Sequence, residues 1–160
     1  MAIALTPFMA LCGFLPLPRI ASYLNAVPEF AALIPPTTLD LFLSAVHCSI
    51  HDQKDALKLL WQGLLMADPL HQEKECMALV SRYETRIGLD FSDEDGTRDL
   101  VLALSRYFPG DIGIMCVFML NTICLQPGEA IYLGSGVPHA YISGGMYPTA
   151  SLSHLKFFMK

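Results

Sequence analysis

His139 is the side chain in this sequence that best fits a metal ligand, because it follows a strand–turn–strand pattern at a defined place. Pro127 and Gly128 suit the central positions of a type II turn, since proline presets φ and glycine accepts a positive φ. Residues 129–133 then alternate as a strand, glycines interrupt them, and residues 139–143 resume with period two. A histidine delivered in this way can give a neutral imidazole nitrogen to a metal ion.

The same alternation predicts which side chains accompany His139. Period two places Tyr141 and Ser143 on its face of the strand. For Tyr141 two interpretations stay open, contact with a bound ligand or plain packing in the core.

Two other histidines, His47 and His51, stand four residues apart and could share one helix face. The segment has no carboxylate partner of the H-E-x-x-H kind, and two ligands do not make a zinc site. We therefore interpret them, together with His71 and His154, as solvated or loop residues.

The cysteines do not indicate a zinc site or a disulfide framework, because they are scattered and form no C-x-x-C pair. They are Cys12, Cys48, Cys76, Cys116 and Cys124. Buried, reduced thiols in a cytoplasmic protein fit this pattern best. The net charge of -5 and the lack of a basic stripe argue against nucleic acid as a partner.

The composition is apolar for a soluble chain. Hydrophobic residues make up 53% and charged residues 16%, against about 25% charged residues in ordinary domains, and mean hydropathy is +0.44. The most apolar run, residues 112–125, is shorter than the ~20 residues of a membrane span. Residues 1–17 lack the basic start of a signal peptide and contain Pro7 and Pro16. We therefore predict that the chain does not associate with a membrane and that other protein segments cover part of its apolar surface.

The middle of the chain predicts helices. They cover residues 18–26 and 28–34, a third that Thr37 or Thr38 caps, a fourth that Asp52 caps, a fifth that Pro69 opens, and a sixth from Thr97 to Phe108. Residues 90–96 are predicted to be an acidic loop. An apolar stripe that we interpret as core comprises Leu39, Phe42, Leu43 and Val46. The later helices carry Ala56, Leu59, Leu60, Gly63, Leu64; Cys76, Leu79, Val80, Tyr83, Ile87; and Val101, Leu104, Phe108 on one side.

Several motifs together resemble one enzyme family. The spacing from Pro127-Gly128 to Gly136-x-x-His139 is similar to the second motif of the cupin barrels, with Gly134 where that motif usually has proline. With it come Tyr107-Phe108-Pro109-Gly110-Asp111-Ile112-Gly113, Leu120-Asn121 and Leu125-Gln126-Pro127-Gly128-Glu129-Ala130, and near the N-terminus Met1-Ala2-Ile3-Ala4-Leu5-Thr6-Pro7-Phe8, Leu11-Cys12-Gly13-Phe14 and Val27-Pro28-Glu29. These blocks, taken in their order along the chain, resemble the type I mannose-6-phosphate isomerases (phosphomannose isomerases).

The resemblance implies an α+β fold, with a helical domain followed by an incomplete cupin-like β-barrel (jelly-roll) segment. Residues 1–15 would connect barrel and helical domain, 16–108 would be the helical domain, 109–144 the barrel strands with the metal-ligand motif, and 145–160 a divergent tail.

The resemblance also implies a chemistry. The family interconverts mannose 6-phosphate and fructose 6-phosphate, an aldose–ketose isomerisation that feeds GDP-mannose synthesis in the cytoplasm, with one zinc ion (Zn²⁺) per complete enzyme. His139 would be a metal ligand, and Tyr141 would face a barrel interior that binds the phosphosugar. No catalytic acid–base residue can be assigned to this sequence from the resemblance.

Family motifs that supply the other three zinc ligands, Gln-x-His and Lys-Pro-Glu, do not occur in the sequence, nor does the Arg-Ala-Gly-Leu-Thr-Pro motif with its catalytic arginine. We therefore expect an internal piece of such an enzyme, inactive by itself, with a tail after Gly144 that departs from the family. The alternative is a non-catalytic truncated fragment or helical interaction module that lacks most of the active site.

Overall fold

A computed structural model describes residues 2–85 and 96–148, which form two compact units. The helical unit consists of the described residues from Leu15 to Phe118, and the sheet unit consists of residues 2–14 and 119–148. Helices and small antiparallel sheets make the protein α+β, as the sequence predicts. No helix within the described residues is long and apolar enough to cross a bilayer.

Seven helices are found in the described part of the helical unit. They are α1 Leu17–Ala26, α2 Pro28–Ala32, α3 Pro36–Ala45, α4 Ile50–Leu65, α5 Pro69–Thr85, α6 Thr97–Tyr107 and α7 Gly113–Cys116. Proline lies in the first turn of α1, α2 and α3, where its missing N–H has no helical partner to lose. The six predicted helices are confirmed in place. Ile87 and residues 90–95 lie outside the described residues.

Two predicted helix caps are wrong. The third helix begins at Pro36 after Pro35, so neither Thr37 nor Thr38 caps it. Ser49 caps α4, because its Oγ accepts a hydrogen bond from the Asp52 backbone N–H at 3.3 Å and donates to Asp52 Oδ2 at 2.7 Å. Asp52 therefore lies three residues after the cap, where its carboxylate accepts from the Ser49 hydroxyl instead of capping the helix itself.

The core of the helical unit is built largely from the predicted stripes. Fully buried side chains include Phe42, Leu60, Leu64, Cys76, Leu79 and Val101, joined by Phe30 and Phe118. Leu59 and Phe108 are exceptions, each 46% exposed, and Phe108 lies just beyond the end of α6. The five cysteines are free, but Cys48 and Cys124 are exposed, so the prediction of buried thiols is wrong for these two.

The segment that leads out of the helical unit differs from its prediction. Residues 109–144 are predicted as barrel strands, yet α7 occupies Gly113–Cys116, and every residue from Ile114 to Leu120 is buried. A continuous apolar run is compatible with a buried strand and with a buried helix, and periodicity alone does not separate the two.

The sheet unit contains six short strands in two antiparallel three-stranded sheets. The strands are β1 Ala2–Ala4, β2 Phe8–Phe14, β3 Leu120–Leu125, β4 Ala130–Ile131, β5 His139–Ser143 and β6 Met146–Pro148. Their orders are β4-β1-β6 and β3-β2-β5. The predicted strand over residues 129–133 shortens to β4, and Tyr132 is 80% exposed.

Both ends of the sheet unit correct the predicted domain boundaries. Residues 1–15 were expected to be a connection, but β2 is the central strand of its sheet. Its sequence FMALCGF is nearly apolar throughout and lacks the alternation that marks a half-exposed strand. At the other end, β6 pairs with β1, so the predicted divergent tail from residue 145 enters a sheet.

Candidate metal-ligand site around His139

His139 begins β5, which pairs with β2. In the register of this pair Cys12 lies opposite His139, Leu11 opposite Ala140 and Ala10 opposite Tyr141. Ala140 is buried, whereas His139 and Tyr141 are half-buried. The predicted strand and the shared face of His139 and Tyr141 are therefore found in the structure.

Ser143 does not continue that alternation. It pairs with Met9, and the register shifts between Met9 and Ala10. The shift adds one residue to β5, so the prediction that Ser143 shares the face of His139 is wrong. A bulge of this kind leaves no signal in the alternation itself.

Two turns bring the chain to β5. The predicted Pro127-Gly128 turn is confirmed, with the Glu129 N–H donating to the Gln126 carbonyl at 2.9 Å and Gly128 at φ 91°. A second turn closes through the Val137 N–H and the Gly134 carbonyl at 3.3 Å.

The imidazole of His139 is held by the residues that precede it in the chain. Nδ1 lies 2.8 Å from the carbonyl oxygen of Val137. A carbonyl oxygen can only accept, so Nδ1 carries the proton and donates. Nε2 of the neutral ring then keeps its lone pair, which is the tautomer that a metal-ligating histidine needs.

Tyr141 lies two residues further along β5, on the same face as His139. Its ring meets the edge of Phe8 at a centroid distance of 5.5 Å, and it covers a buried cluster of Ala4, Phe8 and Ala10. Burial, with a smaller contribution from Cys12, raises the pKa of the Tyr141 hydroxyl. The hydroxyl is therefore protonated at neutral pH and can both donate and accept a hydrogen bond.

Cys12 lies opposite His139 and is half-buried. Burial raises the pKa of its thiol, so the thiol is protonated at neutral pH. Cys12 does not stand out in the sequence from the other scattered cysteines, because strand pairing between residues 12 and 139 has no local signal.

No three His, Cys, Asp or Glu side chains within residues 2–85 and 96–148 are placed to hold one metal ion. His47 lies in the turn before α4 and His51 in the first turn of α4, so the two do not share a helix face. His51 instead contacts Asp55 at 3.3 Å. His154 lies outside the described residues.

The order of elements defines a class of protein. In this α+β chain a helical unit is inserted, along the sequence, between the second and third strands of antiparallel sheets, and one strand presents a histidine. The family model for the type I phosphomannose isomerase helical insertion domain matches residues 33–120. The chain belongs to the type I phosphomannose isomerase family.

Individual relatives agree with this assignment. A mannose-6-phosphate isomerase from Cryptococcus neoformans is 37% identical over 162 residues, covering 90% of this chain and 37% of the relative. The Rattus norvegicus mannose-6-phosphate isomerase is 38% identical over 144 residues, covering 90% and 34%. The chain spans about a third of the length of these curated relatives.

Solved structures are similar as well. A mutant phosphomannose isomerase from Salmonella typhimurium superposes with a TM-score of 0.67 at 26% identity, covering 91% of this chain and 32% of that one. A mannose 6-phosphate isomerase bound with zinc and yttrium gives the same TM-score and identity, covering 91% and 33%.

Proposed function

We propose that this chain is part of a zinc-dependent mannose-6-phosphate isomerase, which interconverts mannose 6-phosphate and fructose 6-phosphate in the cytoplasm and feeds GDP-mannose synthesis. The similarity to mannose-6-phosphate isomerases supports this reaction. The similarity to a zinc-bound mannose 6-phosphate isomerase supports zinc as the metal. The chain would contribute the helical domain, several strands of a cupin-like barrel and one zinc ligand.

The observation that carries the proposal is the geometry of His139. Its Nδ1 is engaged by the Val137 carbonyl at 2.8 Å, which leaves Nε2 for a metal ion. A catalytic zinc site needs several protein ligands and keeps an open position. His139 fits one of them, and the others would come from parts of the polypeptide beyond the described residues. Zinc bound there would supply charge stabilisation at a sugar oxygen.

Tyr141 is proposed to help orient the phosphosugar. Its ring is fixed against Phe8 and lies 5.6 Å, centroid to centroid, from the ring of His139. A protonated phenol in that place can donate to a sugar hydroxyl or a phosphate oxygen. Tyr141→Phe in the complete enzyme should therefore raise KM more than it lowers kcat, while zinc content stays unchanged.

The test replaces His139 by alanine in the complete isomerase polypeptide that carries these residues. Zinc content by elemental analysis and turnover of mannose 6-phosphate should both fall by more than tenfold, with unchanged helical circular dichroism. His51→Ala is the matched control, because His51 is exposed on the helical unit. Normal zinc content and turnover in His139→Ala would contradict the proposed function.

The 160-residue chain by itself should neither retain stoichiometric zinc nor isomerise mannose 6-phosphate, since one histidine leaves water to fill the other positions. Dialysis followed by metal analysis tests this. About one zinc per chain, lost on His139→Ala, would mean that this polypeptide builds its own site. Complete inactivity together with a folded helical unit would equally fit the non-catalytic module, and the full-length His139→Ala measurement separates the two.

A further inference from the structure

The end of β2 departs from regular pairing. Its register against β3 shifts between Leu11 and Phe14, and Gly13 there takes a φ of 67°. The side-chain amide of Asn121, on β3, approaches three backbone carbonyl oxygens of this irregular segment. Asn121 Nδ2 lies 2.8 Å from Phe14 O, 3.0 Å from Gly13 O and 3.4 Å from Cys12 O. Since the amide has two N–H bonds, it serves all three only by sharing.

The same irregular segment supports His139 from its other side. Cys12 is the strand partner of His139, and the Gly13 N–H donates to the Pro138 carbonyl at 2.9 Å. Val137, whose carbonyl engages His139 Nδ1, places a methyl group 3.8 Å from the position that a Cβ on Gly13 would take. The backbone of residues 137–139 therefore depends on the position of residues 12–14, whose carbonyl oxygens accept from Asn121.

We propose that Asn121 is a positioning residue for His139. Its amide holds residues 12–14 in their irregular conformation, and these residues set the backbone of residues 137–139 and the direction of the imidazole. The inference rests on the proposed function, in which His139 is a zinc ligand. A ligand atom must lie within a few tenths of an ångström of its ideal distance, so loss of its support should weaken zinc binding about ten- to a hundredfold, as for other outer contacts of metal ligands.

The test uses the complete isomerase polypeptide with Asn121→Asp, Asn121→Ala and Asn121→Ser. Asn121→Asp keeps the shape but turns the donor into an acceptor that faces carbonyl oxygens, whereas Asn121→Ser keeps one O–H donor. We expect the zinc dissociation constant to rise about ten- to a hundredfold in the Asp and Ala variants, and by a smaller factor, but more than about twofold, in the Ser variant. Thr122→Ala, the exposed neighbour on β3, is the control and should stay within about twofold.

A second readout does not depend on zinc or turnover. Hydrogen exchange of the metal-free proteins should become faster both at residues 12–14 and at residues 137–139 in the Asn121 variants, with the helices unchanged. Faster exchange confined to residues 12–14, or zinc affinity within about twofold of the parent, would overturn the inference. If the Asp and Ala variants do not fold, the Ser variant decides by the same two measurements.

Failure of the proposed function can be distinguished from failure of this inference. If His139→Ala keeps its zinc, the ligand assignment is wrong, and coupled exchange at the two segments alone decides whether Asn121 positions His139. If His139→Ala loses zinc but the Asn121 variants keep it, the ligand assignment stands and the positioning role is wrong.

Discussion

Glu29 and Arg82 form a two-pronged ion pair inside the helical unit. Arg82 Nε donates to Glu29 Oε1 and Arg82 Nη2 to Glu29 Oε2, both at 2.7 Å. The two side chains are only 10% and 20% exposed, and the pair joins α2 to α5. Parallel hydrogen bonds of this kind are strong and fix geometry, so the pair holds the short helix α2 in place.

Removing one partner should destabilise the helical unit. Arg82→Met leaves the Glu29 carboxylate largely buried without its partner, and we expect the free energy of unfolding to fall by about 3 kcal/mol. Urea denaturation followed by far-ultraviolet circular dichroism measures this.

The free energy of unfolding of the double variant Glu29→Leu with Arg82→Met should lie closer to that of the parent, because no uncompensated charge remains. Lys74→Met removes an ion pair with Glu75 in which the lysine is 77% exposed, so it should cost less than about 1 kcal/mol. An equally mild Arg82→Met would contradict the prediction.

The same pair predicts a pH dependence. Burial by itself raises the pKa of the Glu29 carboxyl, but the hydrogen bonds and the charge of Arg82 outweigh it and lower the net pKa below its ordinary 4.5. A carboxyl with a depressed folded pKa contributes stability above the unfolded pKa and loses it as pH falls through the folded pKa. The stability difference between the parent and Glu29→Gln should therefore narrow below pH 4.5. A constant difference down to acid pH would show that Glu29 does not titrate in this way.

A close backbone crossing in the sheet unit requires glycine. Gly144 has a φ of 95°, and a Cβ there would lie 2.7 Å from Phe8 Cα and meet the Pro7 carbonyl oxygen as well. Backbone atoms cannot move aside as a flexible side chain would, so Gly144→Ala should destabilise the sheets by about 2 kcal/mol or more. Gly128→Ala is the control, because its φ is 91° but no atom lies within 4 Å of its Cβ. Hydrogen exchange at β5 compares them, and equal effects would exclude the crossing as the cause.

The five thiols should react at very different rates. Cys48 and Cys124 are exposed, whereas burial raises the pKa of Cys76 and of Cys116 to about 12. Because the thiolate is the reactive form, a thiol reagent at pH 8 should modify two cysteines quickly and Cys76 and Cys116 only after denaturation. The double variant Cys48→Ser with Cys124→Ser should lack the fast phase. A fast phase that survives in this variant would show that Cys12, Cys76 or Cys116 reacts as quickly as an exposed thiol, and would contradict the prediction.

Strand edges should dominate the behaviour of the 160-residue chain. Among the described strands, β3 and β5 each pair on one side only, as do β4 and β6, and open edges template pairing between chains. We expect aggregation on concentration, with the slowest hydrogen exchange in the helical unit, including residues 114–118. Slow exchange throughout β3 and β5 in a monomer, with no change in light scattering, would contradict this.

Helix positions were predictable because their signals are local. Prolines open α2 and α5, and apolar residues recur at helical spacing in α3 and α4. The segment before β3 was not predictable in the same way, since its apolar run has no period that separates helix from strand. The cap of α4 was misplaced because Ser49 and Asp52 are both capping residue types, and α3 begins after Pro35 without a side-chain cap.

The helices of the middle segment, the Pro127-Gly128 turn and the strand that carries His139 could be predicted from sequence, since each depends on residues close together in the chain. The folded chain was needed to show that β2 is a central strand, that Cys12 lies opposite His139 and that Asn121 holds the carbonyls of residues 12–14. These contacts join residues more than a hundred positions apart, and their register depends on bulges that no local pattern encodes.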